Sequence, residues 1–479
     1  MKTEKVINPA TGAVLAEVPC ADKEDIKRAI AQARRAFDHG PWTKVSLTQR
    51  KEYLLKIAQG IMDRAEQLAQ LETKNTGKPI KETTFMDIPS SAKTFEYFAH
   101  NLERYLKSKR MNLDSGAQSY LFPESRGVVV LIVPWNYPLL IASWKLAQAL
   151  AAGNTVILKP SSLTALTALE LVKIAKEAGL PNGVVNVINA PGATVGSVLC
   201  SDSRVDMISF TGSTQTGQEI MRLASSSTKK LIMELGGKSA SIILADCDLE
   251  TAVGGALTSI FLNQGQMCTA MSRILIDKKI FSQFVEQFVE KAKKIKLGNG
   301  LDSKTQMGPL ISAQQREKVI AYVEQGKKEG AKILCGGKIP QSPELKNGFF
   351  FEPTVFGQVD EQMSIFQEEI FGPVVCLSEF SQEEEAQRLA NDSNFGLACC
   401  IWSSDLERAK NLSRKINAGT IWINTYGMFY NEAPYGGFKQ SGFGKELGRE
   451  GFLEYTRLKH VNLDPSGEKP LVSYWYAFG

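Results

Sequence analysis

Histidine is nearly missing from this chain. Only His39, His100 and His460 occur in 479 residues, and none lies in a motif. A His-based catalytic triad and a His-rich metal site are therefore not expected, and no metal is assigned. Paired cysteines are missing too. The eight cysteines (Cys20, Cys200, Cys247, Cys268, Cys335, Cys376, Cys399 and Cys400) include no Cys-x-x-Cys, and most lie in apolar runs such as residues 397–402. This pattern suits reduced thiols in a cytoplasmic protein better than a disulfide framework. A strong charge of either sign is absent: 56 basic residues against 51 acidic leave +5, spread along the chain. That balance gives no footprint for nucleic acid and only a mild preference for anionic ligands. Nor is there a long unbroken apolar run. The greasiest stretch, residues 128–144, is cut by Pro134, Asn136 and Pro138, so it is not expected to span a membrane. The start, Met1-Lys2-Thr3-Glu4-Lys5, leads into no apolar segment of the kind a secretory signal needs.

What is there is an ordinary globular composition, 43% hydrophobic and 22% charged, over a length sufficient for two or three domains. Residues 1–20 read as short strands and turns around Asn8-Pro9-Ala10-Thr11-Gly12. Residues 23–107 read as helical. Leu54, Ile57, Ala58, Ile61 and Met62 fall on one buried face, and Thr76-Gly77-Lys78-Pro79 is expected to stop that helix. Periodicity lapses over 108–125, where Tyr120-Leu121-Phe122-Pro123 reads as an extended arm. Residues 127–245 alternate apolar runs (128–133, 155–158, 184–188, 207–210, 231–234) with helical patterns such as Leu163, Leu166, Leu169 and Val172. Continuous apolar strands joined by helices imply an α/β fold with a Rossmann-like parallel sheet covered on both faces. After Gly236-Gly237 a second α/β unit begins. Its signals are an amphipathic helix (Phe281, Phe284, Val285, Phe288, Val289, Ala292) and strand candidates at 374–377, 398–401 and 420–423. The tail run Val472-Ser473-Tyr474-Trp475-Tyr476 reads as an edge strand that needs covering, hence an oligomer contact.

Five stretches carry candidate chemistry. Asn263-Gln264-Gly265-Gln266-Met267-Cys268-Thr269 sets one cysteine among small and polar residues. A thiol there can be reached by a substrate, and nearby N–H groups can favour its thiolate; the alternative is a small buried hydrophobe. Leu231-Ile232-Met233-Glu234-Leu235-Gly236-Gly237-Lys238-Ser239 puts a carboxylate at the mouth of an apolar run. Glu234 is thus either a general base with a raised pKa or a strand-end partner for a lysine. Ser209-Phe210-Thr211-Gly212-Ser213-Thr214-Gln215-Thr216-Gly217 follows a strand and opens a helix whose free N–H groups suit a phosphate. Its Gly-x-x-x-x-Gly spacing is neither the usual dinucleotide fingerprint nor a P-loop, so a plain glycine turn stands beside that reading. Lys159-Pro160-Ser161-Ser162 ends another strand, where a lysine faces the crevice at the sheet's carboxyl edge or is simply solvated. Asn136, within Pro134-Trp135-Asn136-Tyr137-Pro138, either donates to a developing oxyanion together with the Cys268 N–H, or braces the turn.

The Glu-Leu-Gly-Gly-Lys and Gly-Gln-x-Cys blocks together resemble the aldehyde dehydrogenase superfamily. The resemblance runs from Asn8-Pro9-Ala10-Thr11-Gly12 to beyond Gly444. It implies oxidation of a small-molecule aldehyde to a carboxylic acid with NAD or NADP, with Cys268 as nucleophile, Glu234 as general base and Asn136 as oxyanion donor. Glu446, in Gly444-Lys445-Glu446-Leu447-Gly448, matches a position linked to proton relay; it and Lys145 could equally form a structural ion pair. For the cofactor, the resemblance places Phe210, Thr211, Gly212 and Ser213 at the pyrophosphate, with Gly217 allowing close helix packing. Lys159, Ser161 and Ser162 fall at the adenosine ribose. Glu369 and Phe371, in Glu368-Glu369-Ile370-Phe371-Gly372-Pro373, fall at the nicotinamide ribose. Ile132, Pro134, Trp135, Gly192 and Leu235 line the cleft. The family often carries a Glu where this chain has Ser162; without that carboxylate a 2′-phosphate has room, so NADP is expected to be accepted as well as NAD.

The resemblance also implies a domain plan. Residues 1–107 and 126–236 form the dinucleotide-binding domain, 237–445 the catalytic domain, and 108–125 with 446–479 a small β oligomerisation arm and tail. A homodimer or homotetramer is expected, with no nucleic-acid or membrane partner. Tyr137, Trp144, Tyr426, Phe429, Tyr430 and Tyr435 read as an aromatic tunnel, and Asn431-Glu432-Ala433-Pro434-Tyr435-Gly436-Gly437 is somewhat similar to betaine-aldehyde and aminoaldehyde members. Such rings hold a quaternary ammonium by cation–π contact, or an aromatic or aliphatic aldehyde, and the substrate stays open among these. A CoA-acylating dehydrogenase is the rival enzyme, with Glu234 counting against it. A non-catalytic structural relative is the rival of another class.

Overall fold

The computed structural model describes residues 2–467. A hairpin, Thr3–Ile7 against Val14–Pro19, leads into a helical segment. Its helices begin where the sequence supplies caps. Asp22 and Asp25 form a capping box for Lys23–Asp38, and Ser46 with Gln49 does the same for Leu47–Met62. Two expectations need correction here. The helix carrying Leu54 and Ile57 ends at Met62, and Gly77, at φ 84°, ends the next one, Ala65–Thr76. Met62 is 42% exposed, because the helix stops there and its last side chain has no neighbour to cover it.

The first sheet runs in the order Gly442–Phe443, Lys230–Glu234, Met207–Thr211, Val128–Ile132, Thr155–Lys159, Val185–Val187. All pairings are parallel except that of Gly442–Phe443, which returns from far down the chain to lie antiparallel against Lys230–Glu234. Alternation along the strands divides the core. Val128 and Val130 face the helices Lys23–Asp38 and Thr214–Ala224, while Val129 and Leu131 face Leu47–Met62, Ile88–Tyr105 and Pro138–Ala151. Both faces are therefore covered, which is why Val128–Ile132 is apolar throughout and its neighbours are largely so. Each fully buried large side chain contributes about 1.5–3 kcal/mol relative to exposure. Leu163, expected on a helix face, is 43% exposed. It sits in a 3₁₀ turn, Ser162–Thr164, ahead of the helix Leu166–Glu177.

The second sheet runs Lys332–Cys335, Thr354–Gly357, Val374–Phe380, Arg273–Asp277, Ala240–Ile243, Ala398–Trp402, Thr420–Ile423. It is parallel apart from its first, antiparallel edge strand. A third, antiparallel sheet joins Thr456–Leu463, Gln118–Ser125 and Lys109–Asn112, so the arm expected at 108–125 is a pair of strands. The tail run at 472–476 lies outside the described residues. No helix among the described residues is long and apolar enough to cross a membrane.

Candidate active site

In the first sheet, the chain turns one way from Val128–Ile132 to Thr155–Lys159 and the other way to Met207–Thr211. At such a switch point the strand ends leave a crevice. A cleft of about 1270 Å³ opens there and reaches the loop between the helix Leu249–Phe261 and the strand Arg273–Asp277. Cys268, Glu234, Asn136 and Glu446 all line it. So do Ile132, Pro134, Trp135, Lys159, Ser161, Gly192, Phe210, Thr211, Gly212, Ser213, Leu235, Glu369 and Phe371. Ser162 and Gly217 do not line it. Ser162 is one residue too far along, turning into the 3₁₀ turn. Gly217 lies behind the lining, where a Cβ would come within 2.5 Å of Leu235 Cδ2, so it permits close helix packing.

The cysteine loop is held in an unusual backbone. Asn263, Gln264 and Gly265 take φ of 47°, 57° and 71°, three left-handed residues in a row. Each of the two non-glycine residues costs on the order of 1–3 kcal/mol and persists only where its surroundings fix it. The Asn263 amide donates to the Asn136 carbonyl at 3.1 Å, and the Asn136 Nδ2 donates to the Gln266 carbonyl at 2.8 Å. Both glycines of Glu-Leu-Gly-Gly-Lys are explained by contact. A Cβ on Gly237 would stand 2.3 Å from the Cys268 carbonyl oxygen, and one on Gly236 would stand 2.6 Å from Glu369 Oε2.

Cys268 is half-buried at the cleft wall, its Sγ 3.4 Å from the Tyr435 hydroxyl. Burial pushes the thiol up to about 12, against the Tyr435 hydroxyl and the Thr269 N–H, which pull it down; Glu369 and Glu234 add to the rise. The expectation that the loop itself favours the thiolate is corrected: by itself this environment holds the neutral thiol, because desolvation outweighs two hydrogen bonds.

Glu234 ends its strand 3% exposed, and neither carboxylate oxygen has a partner among the described residues. Burial, then the nearby Glu446 charge, hold its pKa well above the usual carboxylate range, with Lys145 and Lys445 partly offsetting them. The strand-end ion pair considered above does not form. Glu446 is different. It accepts from Lys145 Nζ at 2.6 Å, Ser209 Oγ at 2.7 Å, Gln148 Nε2 at 2.8 Å and the Tyr455 hydroxyl at 3.2 Å. Sequence reasoning missed Ser209, Gln148 and Tyr455, since nothing marks a strand serine or a helix glutamine as partners of a distant carboxylate.

The rest of the cleft suits a dinucleotide. Ser213 caps the helix Thr214–Ala224, whose first turn opens on the cleft. A Cβ on Gly212 would meet the Phe210 ring at 2.5 Å, so the turn is kept open by close approach rather than by an unusual φ. Glu369 accepts the Gly237 N–H at 2.9 Å, and Trp135 meets Phe371 edge-on with centroids 5.1 Å apart. Toward Cys268 the wall is aromatic: Trp144, Phe429 and Tyr435 stand 5.3–5.7 Å from one another.

Comparison with known proteins agrees with this geometry. The model of the aldehyde dehydrogenase family matches residues 1–461. A betaine aldehyde dehydrogenase of Bacillus subtilis is 47% identical, covering 98% of this chain and 95% of its own. The mitochondrial aldehyde dehydrogenase of Homo sapiens is 42% identical, covering 96% and 89%. A crystal structure of betaine aldehyde dehydrogenase from Staphylococcus aureus in complex with NAD+ superposes with a TM-score of 0.96 at 42% identity, over 99% of this chain and 96% of that one. An NAD+ complex of aldehyde dehydrogenase from Bacillus cereus gives 0.94 at 42% identity, over 96% and 93%.

Proposed function

The chain belongs to the aldehyde dehydrogenase family, NAD(P)-dependent oxidoreductases that act on aldehydes, and from that premise we propose that Cys268, Asn136 and Glu234 carry the reaction. Cys268 gives its proton to water in the cleft and its sulfur attacks the carbonyl carbon, forming a C–S bond while the carbonyl π electrons move to oxygen. The second N–H of the Asn136 amide and the Cys268 backbone N–H hold that oxygen; the first is already given to Gln266. NAD(P)+, when held by cleft residues such as Lys159, Ser213 and Glu369, would supply the hydride acceptor, and Cys268 would keep the acyl group as a thioester. Glu234 then takes a proton from water, whose oxygen attacks the thioester carbon; the C–S bond breaks and the acid leaves. Glu446, accepting from four donors, acts on Glu234 through space and raises its pKa.

The observation that carries this reading is Glu234: a carboxyl without a hydrogen-bond partner among the described residues, lining the same cleft as the Cys268 thiol. Leaving a buried carboxyl unpaired is costly to stability, and such a group in a cleft points to a functional role. It also favours water over CoA as the acyl acceptor. For substrate, we place a quaternary ammonium aldehyde first, since three rings wall the cleft beside Cys268 and two of the relatives above are betaine aldehyde dehydrogenases. The domain plan set out above is kept as part of this proposal, supported by the separate second sheet, while Gly442–Phe443, within 237–445, pairs with the first sheet. The third sheet's exposed Leu458, Val461 and Leu463 support contact with a second copy. The test is NAD(P)H formation across betaine, amino, aromatic and aliphatic aldehydes, with Cys268→Ala as control. The reading expects the highest kcat/KM on betaine aldehyde and no turnover by the variant. Uniform rates across the panel would end the substrate assignment, and an active variant would end the mechanism.

A further inference from the structure

Beneath the substrate end of the cleft lies a set of buried charged groups that the reaction does not use. Lys78 pairs with Asp87 at 2.7 Å, both side chains essentially inaccessible, and its Nζ stands 3.8 Å from the centroid of the Tyr137 ring. Glu82 sits beside them at the end of the one-turn helix Ile80–Glu82. With Lys78 already bonded to Asp87, the hydrogen bonds of the Glu82 carboxyl go elsewhere. Both of its oxygens accept the backbone N–H of Asn263, at 3.2 and 3.4 Å, from 181 residues away.

Asn263 is the first of the three left-handed residues that lead into the nucleophile loop. Its side-chain amide donates to the carbonyls of Asn136 and Gln266, and the Asn136 amide donates to that same Gln266 carbonyl. Asn136, Asn263 and Gln266 thus close a small ring of hydrogen bonds that carries the oxyanion donor on one side and leads to Cys268 on the other. Nothing within the ring accepts the Asn263 N–H; among the described residues the side chain that accepts it is the Glu82 carboxyl.

We propose that Glu82 is a positioning residue: it pins the strained Asn263 turn and so sets the Cys268 loop against Asn136. The inference rests on reading Cys268 as the nucleophile. The groups facing Glu82 are Lys78, Lys81 and Asp87, and burial pushes its carboxyl up to about 8. Near neutral pH it therefore serves chiefly as an uncharged acceptor. An amide of the same shape keeps that acceptor, whereas a hydrocarbon does not.

The experiment compares Glu82→Gln with Glu82→Leu in the full-length protein. Glu82→Gln is expected to keep kcat within about threefold of the parent. Glu82→Leu is expected to lose kcat by roughly tenfold or more, with KM for aldehyde and for NAD+ within about twofold, because a displaced loop weakens the transition state more than binding. The rate at which iodoacetamide alkylates Cys268, followed by peptide mass, is expected to change in Glu82→Leu and not in Glu82→Gln. If Glu82→Leu does not fold, Glu82→Asp carries the same expectation: it keeps the acid and falls one methylene short of Asn263. Wild-type kcat in the Leu or Asp variant, or an equal loss in Gln and Leu, overturns the proposal. Turnover by Cys268→Ala, measured alongside, would instead overturn the nucleophile assignment and leaves the comparison at Glu82 to be read on its own.

Discussion

The Cys268 sulfur lies 3.4 Å from the Tyr435 hydroxyl, although 167 residues of chain separate them. That hydroxyl is the largest influence pulling the thiol pKa down against its burial. Tyr435→Phe is therefore expected to raise the thiol pKa further and to slow alkylation of Cys268 at pH 8 by roughly tenfold to a hundredfold, the yield of one hydrogen bond to a charged group of about 1.5–3 kcal/mol. The pH dependence of the iodoacetamide rate measures it; an unchanged profile would show that the contact does not reach the thiolate.

The pKa of Glu234 is displaced upward, the opposite of a carboxylate paired with a cation. Its ordinary value is 4.5, and burial raises it in the folded chain. Between those two values the unfolded chain releases a proton that the folded chain keeps, so stability contributed by this group is present at low pH and is lost as pH rises. Deacylation needs the ionised form, so turnover rises over the same window. Glu234→Gln is expected to flatten both trends, to cut steady-state kcat by roughly 10²–10⁴-fold, and to keep the pre-steady-state burst of NAD(P)H. Stopped-flow absorbance separates burst from steady state; loss of the burst would move Glu234 out of the hydrolytic step.

Lys145 and Glu446 form an ion pair with side chains 0% and 2% exposed. Removing one partner leaves the other charge buried. Lys145→Met is expected to cost about 3–5 kcal/mol in urea unfolding, and adding Glu446→Gln to that variant is expected to recover part of it. Equal destabilisation by the single and double variants would indicate lost packing rather than an orphaned carboxylate.

A carboxylate at position 162 would repel a 2′-phosphate at the neighbouring ribose if the adenosine end binds near Lys159 and Ser161, both of which line the cleft. Ser162→Glu is accordingly expected to lower kcat/KM for NADP at least tenfold, about 1.4 kcal/mol, with NAD changed by less than about threefold. Steady-state kinetics with both cofactors decides; equal losses would mean the side chain acts on the turn and not on the phosphate.

Much of this was readable beforehand because parallel strands buried on both faces spell themselves out. Residues 128–133 are apolar without a break and 207–210 are apolar but for Ser209, and the strands Val128–Ile132 and Met207–Thr211 both end at the cleft. Gly236 and Gly237 were legible as a motif, and their reason, a nucleophile carbonyl and a carboxylate packed against bare backbone, only appears in three dimensions. Met62 and Leu163 misled because periodicity reports which face a residue is on and not whether the helix still exists there. Ser209, Gln148 and Tyr455 around Glu446, and Glu82 at Asn263, were invisible for another reason. Ser209, Gln148 and Glu82 are separated from their partners by 237, 298 and 181 residues, and Tyr455, nine residues from Glu446, lies beyond the helix that follows it, so none of these pairings leaves a local pattern in the sequence.

The strand Gly442–Phe443 has a consequence for how the protein is made. It closes the edge of a sheet whose other strands were all synthesised long before, and it delivers Glu446 to Ser209 and Lys145. During translation the cleft must therefore wait, with Glu234 at an open edge, until nearly the whole polypeptide has left the ribosome. Catalytic competence in a nascent chain is then a late event, and a stop codon shortly before Gly442 would remove Phe452 and Tyr455 from the core and leave Lys145 buried without its carboxylate, as well as leaving the centre incomplete.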